Sequence, residues 1–333
     1  MDPLSAEAFI RDLYTGILNR VPEQQELSHW ISVVTGGEPL AAVVSKFVNC
    51  DENREKQRIP AAFPAGHYYS PVVDPDIARP YVARNRNLPP GALSGIDVDP
   101  APMLGFWRRN RAAMVAAPFG SGGGRYSYIN DYPPMDATVL YAMICEIKPR
   151  RIIEIGCGHS TLCMLDAADR AGLADLELTC IDPDSKRLLN LLRPGDVSRI
   201  NLMHLPVQDV SLDLFASLSA GDILFIDSAH VLKTGSDVHF ELFEILPALP
   251  AGVFIHFHDV VYPFEYPDGF IFERGYSWNE AYALRAFLMY NERFRIIFWG
   301  SLFAHVYPYE VGSVSPEFLL NTGGSIWIRK GSP

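Results

Sequence analysis

The sequence predicts an α/β fold built on an open, mostly parallel sheet, preceded by a small all-helical unit. Three observations lead there. The stretch Arg151-Ile-Ile-Glu-Ile-Gly-Cys-Gly-His-Ser-Thr161 reads as buried strand, tight turn and helix N-terminus, with an apolar helical pattern continuing from Leu162 to Ala171. Further strand candidates follow it at intervals and end in acids or in a His–Asp pair. Residues 1–58 carry their apolar side chains at helical spacing instead.

Each element has its own signal. Gly156 and Gly158 permit backbone angles closed to other residues and let a ligand approach the main chain, facing the free N–H groups of the next helix. The second strand, Leu176-Glu-Leu-Thr-Cys-Ile-Asp182, ends in an acid placed to accept hydrogen bonds from two ribose hydroxyls. After a third segment, Ile200–Leu205, comes Val207-Gln-Asp209, whose Gln208 and Asp209 are placed to edge an adenine. The fourth strand closes on Asp227, and the fifth, Gly252-Val-Phe-Ile-His-Phe-His-Asp259, closes on His258 and Asp259. Open α/β sheets bind their ligands at the carboxyl ends of strands, where these groups recur.

These motifs resemble a known group. Glu154-Ile-Gly-Cys-Gly158, Ile181-Asp182 and Phe225-Ile-Asp227 look like the successive motifs of class I S-adenosylmethionine (SAM)-dependent methyltransferases. A longer set resembles one bacterial subfamily of them over roughly Phe63 to Lys330: Arg125-Tyr126 and Asn130, Lys148-Pro149, Phe225-Ile-Asp-Ser-Ala-His230, Lys233, Gly235-Ser-Asp237, His256-Phe-His-Asp259, Pro263-Phe-Glu-Tyr-Pro267 and Trp278-Asn-Glu280. The resemblance implies a Rossmann-like sheet finished by an antiparallel pair, Phe294–Trp299 and Ser325–Ile328. It implies SAM held by Glu154, Gly156, Gly158, Ser160, Asp182, Gln208, Asp209 and Asp227, with Glu154 near the methionine end. An NAD-dependent Rossmann enzyme is the competitor, but its fingerprint wants a third glycine where this chain has Thr161.

Methyl transfer from a sulfonium is an in-line displacement in which the enzyme positions the partners and removes a proton from the acceptor. Histidine suits the second task. The catalytic candidates are His258, expected slightly ahead of His230, with Asp227 and Asp259 to orient or charge-stabilise either ring; His256, on the same strand, is expected to be buried and structural. A metal-free site is the expectation. The alternative, drawn from O-methyltransferases that the chain resembles, is a divalent ion on Asp227, His258 and Asp259, a set suited to Fe, Mn or Zn rather than Mg²⁺. Tyr262, Glu265, Tyr266 and a helix from Glu280 to Met289 are expected to shape the acceptor pocket.

Composition agrees with a globular enzyme: 333 residues, 48% hydrophobic and 20% charged. The net charge of −11 opposes nucleic acid and anionic membranes as partners. The five cysteines, Cys50, Cys145, Cys157, Cys163 and Cys180, are odd in number and lack paired zinc spacing, which suits a reducing compartment and a cytoplasmic location. No apolar run is long enough to span a bilayer.

Three regions are expected. Residues 1–58 form a helical accessory domain, with Ser5 as a cap, a second helix from Pro22 and a third from Leu40 to Lys56. Its Leu13–Arg20 run, with Trp30 and Phe47, resembles a small bacterial domain of uncertain role that often accompanies secreted, cell-surface or polysaccharide-related proteins; homo-oligomerisation or protein docking is its expected use. Residues 59–124 form a Pro/Gly-rich connector and lid region, including a helix from Met103 to Ala117 and the hinge Gly120–Gly124. Residues 125–333 form the methyltransferase domain. The expected reaction is O-methylation of a small molecule or sugar-derived intermediate, with N-methylation, or a non-catalytic SAM-binding scaffold, as alternatives.

Overall fold

The computed structural model describes residues 2–53, 62–86, 88–89, 92–119, 123–128 and 132–332. Lys56, the Ile59-Pro60 start of the connector, hinge residues 120–122 and Asn130 lie outside the described residues. The chain divides into two compact units, Met1–Pro64 and Ala65–Pro333.

The first unit is built from helices Pro3–Gly16, Gln24–Thr35 and Leu40–Val48 around Ile10, Tyr14, Leu27, Val43 and Phe47. Its first cap is Asp2, not Ser5: the Asp2 carboxylate accepts the Leu4 and Ser5 N–H groups, because a cap must precede the first turn whose donors it satisfies. The second helix starts two residues beyond Pro22 on a Glu23–Glu26 capping box. The third helix stops at Val48, shorter than its apolar pattern suggests. Arg20 clamps Glu26 and Glu52 at 2.7 Å each, and its hydrogen bonds hold the Glu26 carboxyl down at about 2.

The second unit is a seven-stranded sheet in the order β3-β2-β1-β4-β5-β7-β6. The strands are β1 (Arg151–Ile155), β2 (Glu177–Ile181), β3 (Ile200–Met203), β4 (Ile223–Ile226), β5 (Phe254–Phe257), β6 (Phe294–Trp299) and β7 (Ile326–Lys330). The first five run parallel; β7 pairs antiparallel with β5, and β6 with β7. Helices cover both faces of a parallel sheet, so β4 is buried at every residue and reads as a continuous apolar run. Because β1 pairs with both β2 and β4, the strand order reverses beside β1, and a crevice opens at the carboxyl ends there.

Helix Pro134–Ile147 packs on helix His159–Ala171 and is buried along Met135–Ile144. Residues of the expected connector are packed within this unit: Trp107, in helix Pro100–Val115, is fully buried and donates to the Glu310 carbonyl, and Asn85 and Arg86 bond to Glu265 and to the Tyr266 carbonyl. Arg125, after the glycines, ties Asp166, Asp169 and Asp196 together at 3.1, 2.5 and 2.8 Å. Among the described residues, this segment is an anchored corner, and none of 123–128 lines the cavities described next.

Candidate active site

Two cavities adjoin at the carboxyl ends of the parallel strands. The smaller, about 350 Å³, runs over Gly156, Asp182, Arg187, Gln208, Asp227 and Asp237. The larger, about 1030 Å³, is lined by His230, His258 and Asp259 on the sheet side and by an aromatic loop and Leu319–Gly324 on the outer side. Arg187, Asp227, Ser228 and Ala229 belong to both.

The smaller groove exists because of backbone geometry. Gly156 has φ of +80°, and a Cβ there would run into the Asp227 carbonyl oxygen. Asp182 follows β2, and its carboxylate accepts the N–H groups of Cys157 and Asp184 at 3.0 and 2.8 Å, fixing the loop while facing the groove. Gln208 is fixed by its bond to the Gly235 carbonyl.

Of the eight residues expected to hold SAM, Gly156, Asp182, Gln208 and Asp227 line this groove; Glu154, Gly158, Ser160 and Asp209 do not. Glu154 is turned into the core at the foot of helix His159–Ala171, where it accepts the Ser160 and Thr161 hydroxyls at 2.6 Å. Burial pushes its carboxyl up to about 7 against those hydrogen bonds. Glu154 and Ser160 therefore brace the turn from beneath. Arg187, which the sequence reading overlooked among the charged residues of a helical stretch, passes beside Gly158 into both cavities.

At the junction, four side chains form a closed cycle. Asp227 Oδ1 lies 3.6 Å from His230 Nε2 and 3.4 Å from His258 Nδ1; Asp259 Oδ2 lies 3.5 and 3.7 Å from the same nitrogens. All four separations exceed ordinary hydrogen bonds, so the inner polar atoms face one another as close charged neighbours. The outer nitrogens are tethered: His230 Nδ1 to Glu280 at 2.8 Å, His258 Nε2 to Asp136 at 3.1 Å. Both acids are buried, and neither was foreseen in this role. His256 is fully buried, stacked on Phe225 and bonded to Ser325 Oγ.

The electrostatics follow from these tethers. Burial works against protonation of His230, but the Glu280 hydrogen bond, with the charges of Glu280, Asp227 and Asp259, raises it to about 9. For His258 the same opposition is won by Asp227, Asp259 and Asp136, which lift it well above its ordinary value. Asp227 is held below the usual carboxylate range despite its burial, chiefly by His258. Behind Glu280 lies Glu241, at the start of a π-helical turn over Glu241–Ile245, its carboxyl driven well upward by burial and then by Glu280.

Residues 153–260 match the family described as a methyltransferase domain. The chain carries a class I methyltransferase domain. Residues 2–57 match a domain family of unknown function. An uncharacterized protein of Archaeoglobus fulgidus is 27% identical over 178 residues, covering 47% of this chain and 73% of its own length. Among solved structures, the methyltransferase PaMTH1 of Podospora anserina with bound S-adenosylhomocysteine (SAH) is 18% identical, with 77% of this chain and 95% of that one covered and a TM-score of 0.39. The O-methyltransferase TomG of Streptomyces achromogenes, involved in tomaymycin synthesis and complexed with SAM, is 14% identical, with 71% and 92% covered and a TM-score of 0.39. Likeness of this degree stands as similarity alone; the class I assignment rests on the strand order, the groove at Gly156 and the matched segment. Among the described residues, no helix is long and apolar enough to cross a membrane.

Proposed function

We propose that this methyltransferase domain uses SAM to methylate a hydroxyl of a small molecule. The observation that carries the reading is the junction itself: a nucleoside-sized groove and a larger cavity meet at Asp227–Ala229, beside paired histidines and carboxylates. SAM would be held in the groove by Asp182 at its ribose, by Val207 and Gln208 at its adenine and by the charge of Arg187 at its carboxylate. The acceptor enters from the larger cavity. Its oxygen attacks the methyl carbon, the C–O bond forms as the C–S bond breaks, the electron pair goes to sulfur to give SAH, and the hydroxyl proton goes to the cluster.

We assign that proton to His230 Nε2, reversing the order expected from sequence. His258 is tethered to Asp136 and lies beside Asp227, which with Asp259 lift it well above its ordinary value, whereas His230 is raised to about 9 with its Nδ1 held by Glu280 and its Nε2 turned to the cluster. Residues 1–58 serve as an accessory module, for docking or self-association. Calorimetry with SAM, SAH and NAD, followed by SAH release assays over a panel of hydroxyl compounds, tests the reading. Tight NAD binding with no SAM binding, or SAM binding with transfer only to amines, would sink it.

A second reading is favoured by one observation: Asp227, His230 and Asp259 each bring a ligand atom to within 4.8 Å of the others. This set replaces the His258 of the sequence expectation by His230, whose outer nitrogen is already oriented by Glu280, as metal-bound imidazoles usually are. Two carboxylates and an imidazole fit Mn, Fe or Zn better than Mg²⁺. An ion there would supply Lewis acidity to the acceptor oxygen. Loss of transfer on chelation, restored by Mn²⁺, Fe²⁺ or Zn²⁺, would select this reading over the metal-free one.

A further inference from the structure

The larger cavity holds far more than a reacting hydroxyl needs, and its outer wall has a definite chemistry. Starting at the cluster, the His230 ring packs on Trp278 with centroids 4.4 Å apart, and Trp278 stacks on Tyr276 at 4.5 Å and 22°. Beyond Tyr276 stands Arg274, its guanidinium 5.9 Å from that ring and 5.4 Å from the ring of Phe270. The lining also includes Leu319 and Leu320, the latter 88% exposed. The cavity lining thus joins a proton-handling cluster, a ladder of rings leading away from it and a cation at the end of that ladder, with polar Asn321 and Thr322 beside Leu319 and Leu320.

Arg274 makes no ion pair among the described residues, although the chain carries eleven more acids than bases. Most other arginines near the sheet ends are committed: Arg86 to Asp268, Arg125 to three aspartates, Arg199 to Asp169. Arg187, also without an ion pair among the described residues, sits at the shared wall and is used by the cofactor in the reading above. Arg274 is exposed, and a guanidinium held over two rings keeps its fork of N–H donors free for a carboxylate or phosphate.

We propose that the acceptor is an elongated anionic hydroxyl compound, with an apolar or ring-shaped body along Tyr276, Trp278 and Leu320 and its carboxylate or phosphate on Arg274. This rests on the proposed methyl transfer and adds the acceptor's class. Charge at the far end fixes which hydroxyl reaches His230, because the ring ladder sets the separation of the two ends.

The test uses the full chain saturated with SAH, so that nothing turns over, with calorimetry and tryptophan fluorescence as readouts. Two matched pairs serve as probes: 3,4-dihydroxycinnamate with its uncharged methyl ester, and 4-nitrophenyl glucuronide with 4-nitrophenyl glucoside. At least one anion is expected to bind about 10- to 100-fold more tightly than its neutral partner. Arg274→Gln should erase that preference while leaving the neutral probe and SAH bound as before, and Arg274→Lys should restore part of it. Equal binding within both pairs, an undiminished preference in Arg274→Gln, or no binding of either anion overturns the proposal. Failure of SAH to bind the parent chain would instead strike the proposed function itself.

Discussion

Asp136 and His258, 122 residues apart, share a 3.1 Å hydrogen bond between Oδ2 and Nε2, and the same carboxylate accepts the N–H groups of Gly324 and Ser325. One buried acid thus joins the helix before β1, the end of β5 and the entry to β7. Gly323, with φ of +68°, lies so close that any side chain would strike the carboxyl group. Removing the carboxylate leaves His258 and two N–H groups unsatisfied. Asp136→Ala is expected to lower stability by about 3–5 kcal/mol, measured by urea unfolding.

Asp182 faces the groove while bracing its turn. Asp182→Ala is expected to weaken SAM and SAH binding by about 1–3 kcal/mol in calorimetry, the loss that follows when a ligand's polar groups go unpaired. Unchanged affinity would place the ribose elsewhere.

His230 gives a pH signature. Its value rises from 6.5 to about 9 on folding, so its stabilising contribution is complete below pH 6.5 and is lost as pH rises through about 9. Acting as base, it must first shed that proton, so kcat/KM is expected to climb with pH towards 9. His230→Gln should flatten that limb and lower the rate about 10²–10⁴-fold with SAM affinity intact. A profile already level at pH 7 would contradict the assignment.

Glu154 is buried without a cation, and its folded value of about 7 exceeds the ordinary 4.5. Its contribution is therefore complete below pH 4.5 and is lost as pH rises through 7. The urea midpoint of the parent should fall between pH 5 and 8 by more than that of Glu154→Gln, the difference amounting to about 2–4 kcal/mol.

Deleting residues 1–58 is expected to leave SAM affinity unchanged and to alter assembly state, read by calorimetry and sedimentation. A truncated chain that folds by circular dichroism yet no longer binds SAM would place the boundary elsewhere.

The order of strands was legible because each carries its own apolar run and turn, and Asp182, Asp227, His258 and Asp259 because each closes such a run. Asp136 was not: it stands in the first turn of an apolar helix, where it reads as a favourable charge at a helix N-terminus. Its role depends on Gly324 and His258, which only the folded chain brings near. Glu280 likewise reads as a helix start, and its tether to His230 spans 50 residues. For Glu154, local spacing gives its position at the strand end but not which way the carboxylate turns, and it turns to Ser160 and Thr161. Helix Glu280–Leu288 ends one residue before its expected limit, whereas the π-helical turns at Glu241–Ile245 and Gly269–Glu273 have no periodicity that a sequence displays.

The matched segment, 153–260, supplies the groove and all four members of the cluster, whereas Phe270, Arg274, Tyr276, Trp278 and Leu319–Gly324 lie wholly outside it. On the proposed reading, transfer chemistry and acceptor choice are therefore written in separate stretches of chain. On that reading, two peripheral loops can be rewritten while the sheet ends stay fixed, changing what is methylated without changing how.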